Sequence, residues 1–90
     1  MKAIVSVIGK DKKGIIATVS TVLFQNDINI LDISQTIFQN EYFTMLMAVE
    51  MPEDLTIDKI NAPLQEAAGR LGVEIRIQHE NIFNAMHKLG

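Results

Sequence analysis

The residues best suited to chemistry stand together near the N-terminus, where Gly9-Lys10-Asp11-Lys12-Lys13-Gly14-Ile15-Ile16 sets glycines, lysines and an aspartate between an apolar run and an amphipathic one. Asp11 is a candidate helix cap, able to accept from the amides of Lys13 and Gly14. Free amides at a helix start, backed by the positive end of the helix dipole, suit a carboxylate. Gly14 has no β-carbon, so a ligand can approach its backbone closely. Asn29, where the next segment opens, both donates and accepts and can orient polar groups. Each residue also has a plain structural reading: a cap for Asp11, close packing for Gly14, a turn for Asn29, and a solvated loop for Lys10, Lys12 and Lys13.

Other chemistry is poorly provided for. The chain of 90 residues has no cysteine, and its two histidines, His79 and His87, lie on a strand end and a helix without metal-ligand spacing. No Ser/His/acid set or carboxylate pair stands out, so neither an enzyme nor a cofactor is expected. The net charge is −3 and the only arginines are Arg70 and Arg76. That balance argues against nucleic acid, whose phosphates call for a basic face. No stretch approaches the ~18 uninterrupted apolar residues of a membrane span. The N-terminal run reads as a strand, not a signal peptide, and the expected location is the cytoplasm.

The elements that must position the loop follow from periodicity. Lys2 to Ile8 is apolar and β-branched and ends at Gly9, a first strand running into a turn. Ile15, Ile16, Val19, Val22 and Leu23 then recur at helical spacing, and Asn26-Asp27 closes that helix. Asn29 to Gln39 and Tyr42 to Met51 form a hairpin around Gln39-Asn40-Glu41. On its second arm Phe43, Met45, Met47, Val49 and Met51 share a face and belong to the core. Thr56 and Asp58 open a second helix whose apolar side is Ile60, Leu64, Ala67, Ala68 and Leu71, with Gly72 at its end. Pro63 in its middle removes a backbone bond at a cost of about 3 kcal/mol, so a kink or a late restart is expected there. Val73 to Gln78 alternates as a half-buried strand. A tail helix over 81–89, capped by Asn81, turns Ile82, Phe83, Met86 and Leu89 to one side and is too short to stand alone.

Strand, helix, strand, strand, helix, strand predicts an α+β domain of ferredoxin-like βαββαβ type over residues 1–90, a four-stranded antiparallel sheet with two helices on one face and a short C-terminal helix. There is no room for a second domain, and the 48% hydrophobic content makes a core only just sufficient alone, which favours self-association. That fold serves many functions. A heavy-metal carrier would need a cysteine pair, an RNA-recognition domain would need stacking aromatics on its central strands, and an acylphosphatase would need arginine in the first loop. None is present.

Asp11-Lys12-Lys13-Gly14-Ile15 after the first strand, Asn29-Ile30-Leu31-Asp32-Ile33 opening the second, Gln35, and Tyr42-Phe43-Thr44-Met45 together resemble the ACT-domain pattern. The similarity runs over essentially the whole chain. It is like the ACT modules of formyltetrahydrofolate deformylase and the glycine cleavage repressor, and most like stand-alone bacterial ACT-domain chains. It implies a homodimeric sensor of a small molecule, an amino acid by the family's habit, bound near the first loop where two domains pair side by side. On that resemblance the site candidates are Asp11, Lys13, Gly14, Ile15, Asn29 and Ile30, and Gly14→Leu is expected to abolish binding while sparing the fold. Lys12-Lys13 stands where the deformylase module has a Gln-Pro type pair, so that enzyme's ligand does not carry over. The alternative is an interaction module that has lost its ligand and acts on a partner protein through the tail helix and the exposed second strand.

Overall fold

Alternation of apolar and polar residues builds β1, Lys2–Lys10, whose Ala3, Val5 and Val7 are fully buried. The structure, a computed structural model, describes residues 1–10, 12–39 and 41–87. After β1 come α1 (Ile15–Gln25), β2 (Asn29–Phe38), β3 (Tyr42–Glu50), α2 (Ile57–Leu71), β4 (Val73–His79) and α3 (Glu80–His87). The sheet order is β2-β3-β1-β4 and every pairing is antiparallel, as the βαββαβ reading requires.

One face of the sheet holds the core. Val5 and Val7 of β1, Met45 and Met47 of β3, and Ile75 and Ile77 of β4 meet Val19 and Leu23 of α1 and Ile60 and Leu64 of α2. Phe43, Met51 and the other expected core residues of the hairpin are buried with them. The first strand does not stop at Gly9. It continues to Lys10, with Gly9 opposite both Phe43 and Val73, because the absent side chain is what lets β4 come close there.

The ends of α1 depart from the simplest sequence reading at one side and agree at the other. Its N-cap is Gly14, in the left-handed region at φ 88°, and the expected cap, Asp11, lies outside the described residues. At the C-terminus Asp27 takes φ 59° and the Ile28 amide donates to the Leu23 carbonyl at 3.0 Å while Asp27 donates to Phe24 at 3.1 Å. This is a Schellman ending with aspartate in the glycine position, and burial of Ile28 beside Leu23 completes it.

Thr56 caps α2 by accepting from the Lys59 amide at 3.3 Å, and Gly72 ends it at φ 70°. Pro63 lies inside the helix without interrupting it, so there is no restart. The tail helix begins one residue earlier than expected. His79 Nδ1 accepts from the Asn81 amide at 3.1 Å, so the capping side chain is His79 and not Asn81. Along this helix Phe83 is half-buried but Ile82 is exposed, contrary to the expected inward stripe. Leu89 and the side chain of Met86 lie outside the described residues. Among the described residues α3 lies against β1 and β4 and not against α1 or α2.

Candidate functional site

The turn into α1 is built on Gly14. Its φ of 88° is strained for a residue with a β-carbon, and its carbonyl accepts the first helical bond, from Thr18, at 2.9 Å. A glycine in the cap position brings no side-chain acceptor, and no acid stands in the first turn. The amides of Ile15, Ile16 and Ala17 therefore point out of the helix start as donors, with the dipole behind them. That is a setting for a carboxylate.

Beside this helix start lies a cleft of about 310 Å³. Ile15 and Phe43, both buried, form its base, and Ile16, Ala17 and Ile37 its apolar walls. Gly14, Lys12 and Gln35 supply the polar rim. The Lys12 ammonium stands over the C-terminal end of α2, 3.7 Å from where a β-carbon on Gly72 would be. The negative end of the α2 dipole favours a cation there, which ties the loop to the second helix.

One wall of the cleft belongs to β2. Ile33, Gln35 and Ile37 pair with Met47, Met45 and Phe43, all core residues, and so face the helix side of the sheet. Yet β2 is the outer strand, and α1 covers it only in part. Ile33 and Ile37 are 41% and 49% exposed. On α1, Ile16 lines the cleft with Ile37, and Phe24, two turns further on, is 80% exposed. Exposed apolar side chains of α1 and β2 thus stand beside the sheet edge formed by β2.

The sequence-selected residues divide over this geometry. Gly14 and Ile15 line the cleft. Lys13 is exposed on the turn and does not line it, and Asp11 lies outside the described residues. Asn29 and Ile30 are at the other end of the sheet: Asn29 pairs with Glu50, which pairs with Lys2, whereas Ile37 pairs with Phe43 and through it Gly9. Eight strand residues at about 3.3 Å each separate the two ends, roughly 26 Å. Ile30 is a half-buried flank of the core against Val49, and an irregularity at Leu31 follows it. Sequence reading passed over Lys12, Ile16, Gln35 and Ile37 as site residues. Gln35 carried a usable signal, a polar residue on the inward-facing positions between Ile33 and Ile37.

Among the described residues no group of acidic, histidine or cysteine side chains could hold a metal ion. No buried side-chain nitrogen or oxygen among them lacks a partner. None of their helices is long and apolar enough to cross a membrane.

Comparison with known families matches residues 2–78 to the ACT domain. A UPF0237 protein of Clostridium acetobutylicum is 54% identical over 90 residues, covering 99% of this chain and 100% of its own. Among solved structures, an ACT domain protein from Streptococcus pneumoniae superposes with a TM-score of 0.82 at 42% identity, over 97% of this chain and 98% of that one. A formyltetrahydrofolate deformylase from Pseudomonas putida also reaches 0.82, at 16% identity, over 90% of this chain and 30% of its own, a likeness of fold alone.

Proposed function

This chain belongs to the ACT-domain family, among its UPF0237 proteins, and from that premise we propose that it is a non-enzymatic sensor binding a small amino acid in the Gly14 cleft of a homodimer. The observation that carries the reading is the joining of two features: amides at the start of α1 that no side chain caps among the described residues, and an apolar cleft whose outer wall is the edge strand β2. The amides meet the carboxylate, and Ile16, Ile37 and Phe43 meet an aliphatic side chain. A volume of about 310 Å³ lies at the lower end of ligand sites and suits a molecule of that size.

Dimerisation explains the distance between the candidates. If β2 pairs antiparallel with β2 of a second copy, the start of one strand lies beside the end of the other. Asn29 of the partner then approaches the Gly14 end of the first chain, and each cleft is completed by both copies. The same pairing covers Ile33, Ile37, Ile16 and Phe24. Ligand and dimer then favour each other, since a ligand that touches both copies binds the paired state more tightly. The sensor works in the cytoplasm, as one domain over residues 1–90, without cofactor, nucleic acid or membrane, and signals to a partner protein.

A second reading is favoured by the outer face of the sheet, where Ile8, Phe38, Tyr42 and Leu46 are exposed together. An interaction module without ligand would use such a surface. The experiment is thermal unfolding of the purified protein against the common amino acids, with sedimentation velocity alongside. A ligand at about a hundred times its dissociation constant adds about 2.7 kcal/mol, a shift on the order of 10 °C in a domain this small. A selective shift accompanied by dimer stabilisation supports the sensor. A flat screen over a stable dimer turns the assignment to the interaction module.

A further inference from the structure

The sheet has two edges, β2 and β4, and they are finished differently. Along β4 lies α2, and from it the Gln65 carboxamide reaches the strand: Nε2 donates to the Ile75 carbonyl at 2.7 Å and to Asn61 Oδ1, one turn back, at 3.1 Å. Both amide hydrogens are thereby used, which holds the side chain in place against the strand. Gln65, Asn61, Ile75 and Ile77 line a groove of about 320 Å³ along this margin. A strand laid there would have to displace Gln65 and win back the Ile75 carbonyl. On β2 the corresponding device is slight. Asp32 Oδ1 accepts from the adjacent Ile33 amide at 2.9 Å beside the irregularity at Leu31. From Ser34 to Phe38 no hydrogen bond from another element's side chain meets the strand among the described residues.

We propose that Gln65 is the residue that closes the β4 edge to strand addition, and that a second copy of this chain is the partner it excludes. With β2 open and β4 closed, copies join by a two-fold pairing of β2 and the assembly stops. With both edges open, β2 of one copy adds to β4 of the next, a head-to-tail contact that has no end. The product that Gln65 protects rests on the β2 dimer proposed above, but the closing of β4 does not depend on it.

The test is sedimentation velocity over a wide concentration range, with circular dichroism to establish folding. Gln65→Leu keeps the bulk of the side chain and loses its donors, and should form species whose mass climbs with concentration beyond the wild type. Gln65→Lys, which can still donate to the Ile75 carbonyl, should sediment like the wild type. Adding Ile33→Lys on the β2 edge to Gln65→Leu should cap the species at a pair. If Gln65→Leu fails to fold, Gln65→Ala, with its high helix propensity, replaces it. A folded donorless variant with wild-type mass at every concentration overturns the inference, as does growth that the β2 substitution does not limit. A monomeric wild type would overturn the dimer instead and leave the comparison between wild type and variant in force.

Discussion

Gly9 and Val73 are cross-strand partners, and a β-carbon on Gly9 would come within 2.7 Å of Val73 Cγ1 and 3.1 Å of its Cα. The glycine is there for the approach of β4, with the loop that carries Lys12 directly after it. Gly9→Ala should therefore cost about 2 kcal/mol through overpacking, read as a lower urea midpoint. Because the contact is with a short branched side chain, Val73→Ala in the same chain should return part of the loss. A double-mutant cycle with no coupling would show that the close approach is not what the glycine serves.

At Gly14 the space is open and the backbone is the constraint. A β-carbon would find only Thr18 Oγ1, 4.0 Å away, but φ is +88°. Gly14→Ala should lose on the order of 1 kcal/mol of stability, and Gly14→Asn distinctly less, since asparagine tolerates the left-handed region. This revises the expectation that Gly14→Leu would spare the fold. Thermal unfolding of the three variants side by side should rank leucine and alanine below asparagine, and equal stabilities would remove the strain argument.

Pro63 is half-buried in the middle of α2 and leaves the Lys59 carbonyl without its helical donor. Pro63→Ala should restore that bond and raise stability by about 1–2 kcal/mol, after allowance for the greater freedom of the unfolded chain. Urea unfolding with an unchanged slope would measure the gain. A lowered midpoint would mean that the proline ring's packing outweighs the missing bond.

Ile33 stands on the β2 edge, 41% exposed and opposite the buried Met47. Ile33→Lys should weaken the dimer about tenfold or more, equivalent to at least ~1.4 kcal/mol, because a charge is placed where strand would meet strand. It should also remove ligand-induced stabilisation if the site is shared between copies. Sedimentation and the amino-acid screen, run on the same sample, separate the two effects. Retained ligand response in a monomer would place the whole site within one chain.

Much of the architecture was legible because it rests on local rules. Alternation in Val73–Gln78, the helical stripe of Ile60, Leu64, Ala67 and Leu71, the Thr56 cap and the Gly72 ending all came through as read. What local rules missed were places where a distant element decides. Gly9 looks like a strand stop until β4 is beside it. The cap position of α1 falls to Gly14 at positive φ, and Asn81 gives way to His79 because the turn from β4 into α3 brings the imidazole to the amide.

The same division holds for the site. The sequence by itself determined the order of elements, the sheet's buried face, the family resemblance and the glycine at the turn into α1, since each is written in spacing and residue type along the chain. Only the tertiary structure decided that Asn29 and Gly14 lie at opposite ends of one sheet, that Lys12 and Gln35 join the cleft, and that Gln65 bonds to Ile75 across ten residues. Those relations depend on register and on which strands lie at the edges, and they arise only when strands far apart in the chain come to share one sheet.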